Sequence, residues 1–186
     1  KGWLGTDAAK LAGSFPYNDA PATLAALGAH FESSPAKVGV VTSSIRYEAD
    51  IVLGAVFGVL QSEVMSWPIE PTRKQRILDG FALPEVYYDA IVTATDSSEI
   101  RLKPHRDLYS IALHQLGLTP KDFDRVAGFE DSESGLIAIR AAGIPVCCAV
   151  PFAETQGHDL SAASLVAHGG LPEVMLKHKV FLEEIV

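Results

Sequence analysis

Glu130 and Asp131 stand side by side between two apolar runs, in RVAGFEDSESGLIAIRAAGIPVCCAV (125–150). A turn from strand to helix needs no such pair, and two acids there suit a cation, a proton or a phosphate held nearby. Two other polar clusters follow apolar runs in the same way. Thr42-Ser43-Ser44, with Arg46 just beyond, follows VGVV (38–41), and Lys103-Pro104 lies in the loop after DAIVTA (89–94). A threonine hydroxyl, with the N–H groups of a turn that opens a helix, can hold phosphoryl oxygens. A lysine offers fixed positive charge against the charge that builds up during group transfer. Adjacent carboxylates give hard oxygen ligands suited to Mg²⁺, which takes one or two carboxylates together with waters and substrate phosphate. Together these groups would neutralise a transferring phosphoryl group. Each also has a plain structural use: threonine as a helix cap, Lys-Pro as a loop, Glu-Asp as a complement to a helix dipole.

The elements that must position these residues alternate. Helical spacing runs through 20–32, a short buried strand through 38–41, and a second helix through 46–60. Residues 61–80 are a polar excursion with Pro68, Pro71 and the basic residues Arg73, Lys74 and Arg76, which read as a solvated surface helix or, more sharply, as a phosphate-recruiting patch. Strands follow at 89–94, 125–129 and 144–150, with helices at 107–118 and 133–143, the latter closed by Gly143. SLVAH (164–168) reads as a short edge strand, and PEVMLKHKVFLEEI beyond it as a helix. Such alternation predicts an α/β fold: a Rossmann-like, mostly parallel sheet with helices on both faces. Ligands of such sheets bind beyond the carboxyl ends of the strands, where all three polar clusters fall, so one shared rim is expected.

Composition narrows the class. The chain has 186 residues, 48% apolar and 20% charged, which fits a globular domain and excludes wholesale disorder. A net charge of −8 argues against a nucleic-acid binder, which needs a basic face. No run approaches membrane-spanning length, so no membrane partner is expected. The two cysteines, Cys147 and Cys148, are neighbours on a strand and point to opposite faces, so they read as small buried residues, compatible with a cytoplasmic protein. His105 is near enough to Lys103 to reach the rim but equally suits a solvent-facing helix start; the other histidines lack metal-ligand spacing.

VVTSS (40–44), KPHRDLY (103–109) and GFEDSESGLIAIRAAG (128–143) resemble the second, third and fourth motifs of the haloacid dehalogenase superfamily, in the branch of the β-phosphoglucomutase-like sugar phosphatases and mutases. The resemblance covers residues 16–186 as a core domain, and 1–15 read as a linker or a remnant of the family's cap domain. It implies a Mg²⁺-dependent phosphatase acting on a small phosphorylated metabolite through an aspartyl-phosphate. Thr42 would bind the phosphoryl group with the backbone at Ser43 assisting, Lys103 would bridge nucleophile and phosphoryl oxygens, and Asp131 would ligate Mg²⁺ supported by Glu130. Ser44 and Arg46 lie where phosphate or substrate contacts sometimes fall. Arg106 stands where the family's third motif usually has a second proline, outside the catalytic set.

The family's first motif, a DxDGT segment ending the first strand, has no counterpart in the sequence. Asp7 has no apolar strand before it and no partner aspartate two residues away, and Asp50 and Asp79 lie in helical or polar stretches. The chain therefore reads as the later part of such an enzyme, inactive by itself. Because the resemblance puts the first strand in the middle of the sheet, a second fragment or chain is expected to complete it. Two other readings stay open: a sugar-phosphate mutase of the same family, and a non-catalytic phosphate- or Mg²⁺-binding or interaction domain.

Overall fold

A computed structural model describes residues 18–96 and 99–182. The proposed linker 1–15, with Asp7, lies outside the described residues. The chain forms two compact units, one spanning Lys37–Lys121 and the other joining the stretch before it to Asp122–Val186.

In the Lys37–Lys121 unit, β1 (Gly39–Val41) leads to α2 (Arg46–Ser66), α3 (Pro71–Gly80), the single turn α4 (Pro84–Tyr87), β2 (Ala90–Val92) and α5 (Asp107–Gln115). β1 and β2 are parallel, with Val40 opposite Ile91. Their inner residues pack on α5: Val92, Leu108 and Ala112 form a buried cluster flanked by Val41, Ile100 and Ile111. Phe57 of α2 is buried among the rings of Phe81, Tyr87 and Tyr88, at centroid distances of 5.7, 5.9 and 5.8 Å. Pro71 occupies the first turn of α3, where its missing N–H costs nothing, and Glu70 caps that helix by accepting the Thr72 and Arg73 N–H groups. The basic cluster thus lies on a short surface helix, as one of the two sequence readings has it.

α2 corrects one expectation. It runs past residue 60 to Ser66, and its 21 residues, with a mean hydropathy of 1.4 over the best 18, are long and apolar enough to cross a membrane by length and composition. The polar excursion therefore begins only after Ser66, because Gln61, Ser62 and Glu63 are good or tolerated helix residues that extend a helix already nucleated.

In the other unit, α1 (Ala20–Ser33) packs Leu24 and Leu27 against Leu176 of α7 (Leu171–Leu176). The sheet has the order β3 (Ala127–Glu130), β4 (Val146–Ala149), β5 (Leu165–Val166), all parallel. α6 (Glu133–Ala141) crosses over between β3 and β4. Gly128 of β3 lets α6 sit close: a Cβ there would meet Ile139 at 2.8 Å. The Arg140 guanidinium donates to the carbonyls of Ala162 and Pro145 and to Ser164 Oγ, tying the approach to β5 to the end of α6. β4 is buried throughout, and Cys147 and Cys148 are free thiols that burial pushes up to about 11, which keeps them un-ionised at neutral pH. The helix expected over the tail is shorter than its sequence pattern: α7 stops at Leu176, and Lys179 takes a positive φ of 49°.

The strands form two sheets where the alternation alone suggests one. Among the described residues β1 pairs only with β2, and β3 only with β4, so no strand joins the two ladders.

Candidate functional site

The polar clusters do stand at carboxyl ends of parallel strands, divided between the two units. In Lys37–Lys121, the chain leaves β1 through a tight turn. Thr42 N–H still belongs to the ladder, donating to Val92 O at 2.9 Å. Ser44 N–H donates to Thr42 Oγ1 at 3.1 Å, so the hydroxyl is used as an acceptor and keeps its own hydrogen to donate. Ser44 O accepts from Ala94 N–H at 2.9 Å, joining this turn to the one after β2. Ser43 is exposed at the tip, while Thr42 and Ser44 are half-buried.

Lys103 reaches this turn from the loop before α5. Its Nζ donates to Val41 O at 3.2 Å, one peptide from Thr42, and lies 5.3 Å from the centre of the Tyr109 ring. Asp107, in the first turn of α5, holds the loop: it accepts from Arg101 N–H at 3.0 Å and Arg101 Nε at 3.1 Å, and lies 2.9 Å from His105 Nδ1. The Arg101 side-chain and backbone bonds bring the Asp107 carboxyl down to about 2. His105 is thereby turned toward Asp107, and the Lys103–Pro104 peptide between is cis.

Arg46 sits differently from its sequence reading as a phosphate contact. Its guanidinium donates to Ile91 O at 3.0 Å and to Asp96 Oδ1 at 3.2 Å, with Asp50 at 3.8 Å. Asp96 is a residue that sequence reasoning missed. Its carboxylate also accepts from Thr93 N–H at 2.8 Å and from the hydroxyl of the fully buried Thr93 at 3.0 Å. Burial would raise its pKa, but the Thr93 donors and the Arg46 charge bring it below the usual value. An Asp four residues past a buried strand is an ordinary turn signal; its partner across fifty residues has no local signature. Asp79, on α3, accepts from Gln75 Nε2, so neither it nor Asp50 occupies a strand end.

In the other unit, β3 ends at Glu130 opposite Ala149 of β4. Ser132 caps α6, its Oγ accepting from Gly135 N–H at 3.3 Å. Glu130 is 9% exposed and its carboxyl lies against the first turn of α6, in space that exists only because residue 135 is glycine; a Cβ there would collide with it. Asp131 is half-buried and has no hydrogen-bond or ion-pair partner among the described residues. The two acids thus differ: Asp131 keeps its oxygens without a protein partner among the described residues, whereas the Glu130 carboxyl is buried against α6. No cluster of three or more His, Cys, Asp or Glu side chains fit to hold a metal occurs among the described residues, so a cation here would complete its shell with water and ligand oxygen, as Mg²⁺ commonly does.

Comparison with known proteins finds relatives for part of the chain. No protein-family model matches the sequence. The chain is 42% identical over 72 residues to the protein CbbY of Rhodobacter capsulatus, covering 39% of this chain and 30% of that protein. It is 32% identical over 99 residues to the phosphatase-designated YhcW of Bacillus subtilis (strain 168), covering 53% of this chain and 39% of that protein. Among solved structures it resembles CbbY of Rhodobacter sphaeroides in complex with phosphate (TM-score 0.52, 20% identity, 82% of this chain and 54% of that one). It also resembles a β-phosphoglucomutase-type protein of Thermotoga maritima (TM-score 0.51, 24% identity, 82% and 56%). At such identities the structural likeness concerns the fold. The chain spans little more than half the length of these solved neighbours, and the matched segments span less than half of the curated relatives.

Proposed function

We propose that the chain, a member of the haloacid dehalogenase superfamily in its β-phosphoglucomutase-like branch, supplies the phosphate-holding part of a phosphohydrolase acting on a small phosphorylated metabolite. The observation that carries the reading is the meeting of Lys103 Nζ with the carbonyl that precedes Thr42, at 3.2 Å. It sets a fixed ammonium beside a hydroxyl with a hydrogen to give and a serine-tipped turn, a combination suited to phosphoryl oxygens. Thr42 donates its hydroxyl hydrogen to one such oxygen, the exposed turn at Ser43 offers N–H, and Lys103 neutralises charge on the group. Asp131, with Glu130 behind it, would hold Mg²⁺. When bound, the ion would supply positive charge at the carboxyl end of β3. Arg46, engaged with Asp96, shapes the turn.

The carboxylate nucleophile of the family has no DxDGT counterpart in this sequence, so the 186-residue chain binds phosphate without turning over phosphate monoesters. Phosphatase and mutase use the same phosphate-holding groups, and both likenesses occur among the relatives. The test is titration of the chain with inorganic phosphate and Mg²⁺, followed by calorimetry and phosphorus NMR. Binding is expected, and Lys103→Ala should weaken it about tenfold or more, the order for losing a hydrogen bond to a charged group. Phosphate affinity indifferent to Lys103→Ala and to Thr42→Val sinks the reading.

A further inference from the structure

Asp107 ties down both sides of the turn that carries Lys103. Before the turn, Arg101 N–H and Nε donate to Asp107 Oδ2 at 3.0 and 3.1 Å. At its far end, His105 Nδ1 lies 2.9 Å from Asp107 Oδ1. The turn itself is closed by His105 N–H donating to Leu102 O at 2.9 Å, with Lys103 and Pro104 between. With both feet on one carboxylate, the turn has a fixed direction, and it sends Lys103 Nζ to Val41 O.

The two ties differ in kind. The Arg101 guanidinium is charged at every ordinary pH. His105 Nδ1 is buried but not aligned for a hydrogen bond, so its attraction to the carboxylate is one of charge and is strong only while the imidazole is protonated. Histidine is the side chain that changes charge between about pH 5 and 8. Asp107, brought down to about 2 by the Arg101 bonds, stays ionised throughout that range. Asp107 faces the imidazole, Arg101 stands across that carboxylate, and Lys103 and Arg106 flank it in sequence. Arg106 Nε is turned along α5, donating to Ser110 Oγ at 3.1 Å. Glu99 and His114 line a hollow with Asp107, so His114 is a second titrating group near the same carboxylate. β1 and β2, toward which Lys103 reaches, are Gly-Val-Val and Ala-Ile-Val and carry no titratable side chain.

We propose, on the reading of Lys103 as a phosphate-holding group, that His105 is a proton-linked positioning residue. Its imidazolium, drawn to Asp107, keeps the turn in the form that sets Lys103 Nζ beside Thr42, and loss of the proton loosens it. Affinity for an anion follows the fraction of chains with Lys103 in place, so binding strengthens as pH falls through the imidazole's titration. The experiment is calorimetric titration of the 186-residue chain with sulfate, a phosphate analogue that stays a dianion over the whole range in which histidine titrates. Wild type should bind about three- to fivefold more tightly at the acid end than at the alkaline end, the order of a partly exposed ion pair. His105→Gln and Asp107→Asn should each flatten that difference, and His114→Gln should leave it. Nitrogen-15 NMR of the free chain gives a second readout. The Thr42 N–H shares a peptide with the carbonyl that receives Lys103, so its shift should follow the imidazole in wild type and cease to do so in His105→Gln. A His105→Gln profile that tracks wild type overturns the proposal. So does a difference that survives Asp107→Asn, since the imidazolium would then act on the anion itself. Sulfate binding that is absent, or indifferent to Lys103→Ala, sinks the phosphate-holding reading instead. The Thr42 shift then decides the positioning, and an amide blind to the imidazole in wild type overturns it.

Discussion

Asp96 is the acceptor on which the two strand ends of Lys37–Lys121 converge. Thr93 donates to it twice and Arg46 once, while Arg46 N–H donates to Thr95 Oγ1 at 3.1 Å. With Ala94 N–H on Ser44 O, this network sets the turn that carries Thr42. Asp96→Asn keeps the shape but removes the charge and turns an acceptor into a donor facing donors. It should cost about 1–2 kcal/mol, since the bonds are charge-assisted but partly exposed. The variant should show a lower urea midpoint and a several-fold weaker phosphate titration, and an unchanged midpoint and affinity would count against this role. The same cluster marks a limit of sequence reading. The places of Thr42, Glu130 and Asp131 at strand ends were legible because short apolar runs mark where those strands stop. Arg46 was named from the family resemblance alone, and its long side chain goes to an acceptor that folding brings near, fifty residues away. Asp107 was visible as an acid in the first turn of a helix, but its hold on Arg101 and His105 depended on a loop whose path no periodicity encodes.

At the scale of elements, the strands were legible within a residue or two because short apolar runs bounded by turn signals leave little choice. Helix ends were less so. α2 outran its apolar pattern, and α7 fell short of its own, because the residues after Leu176 turn back toward the sheet: Val180 joins the cluster of Val146, Cys148, Ala167 and Val174. Glu173 fixes the start of α7. It is 9% exposed, and its carboxylate accepts from Lys177 Nζ at 2.6 Å and Gly169 N–H at 2.7 Å. The Lys177 bond first, then the Gly169 N–H, lowers its pKa from 4.5 to about 2. A carboxyl whose folded pKa is depressed contributes fully above its unfolded pKa and loses that contribution as pH falls through the folded one. The stability due to Glu173 is therefore whole above about pH 4.5 and fades toward pH 2. Denaturant midpoints measured from neutral pH down to about 2 should fall more steeply in this window for wild type than for Glu173→Gln. Parallel slopes would mean that the carboxylate is no better placed in the fold than in the unfolded chain.

At the scale of the whole molecule, β1, β2, β3 and β5 are all edge strands among the described residues, and for β1 and β3 hydrogen bonding tells which amides face the open side. Val38 N–H donates to Asp89 and Thr42 N–H to Val92, so the even-numbered amides of β1 face β2. Alternation turns the N–H groups of Gly39 and Val41 to the other edge, where Val41 O already meets Lys103 Nζ. In β3, Glu130 O accepts from Val150 N–H, so Ala127 and Phe129 face away from β4 in the same manner. Exposed edges recruit strands, so each of these two edges, taken by itself, can accept a strand from another segment. In a sample whose intact mass is the 19.9 kDa chain alone, the amides of Gly39, Val41, Ala127 and Phe129 should exchange orders of magnitude faster than those of β4, which has neighbours on both sides. A sample holding a further segment should protect the amides of whichever edge that segment pairs. Four protected amides in the lone 19.9 kDa species would mean instead that the edges have closed on copies of themselves, and the reading of these edges as open to a strand from another segment would fall.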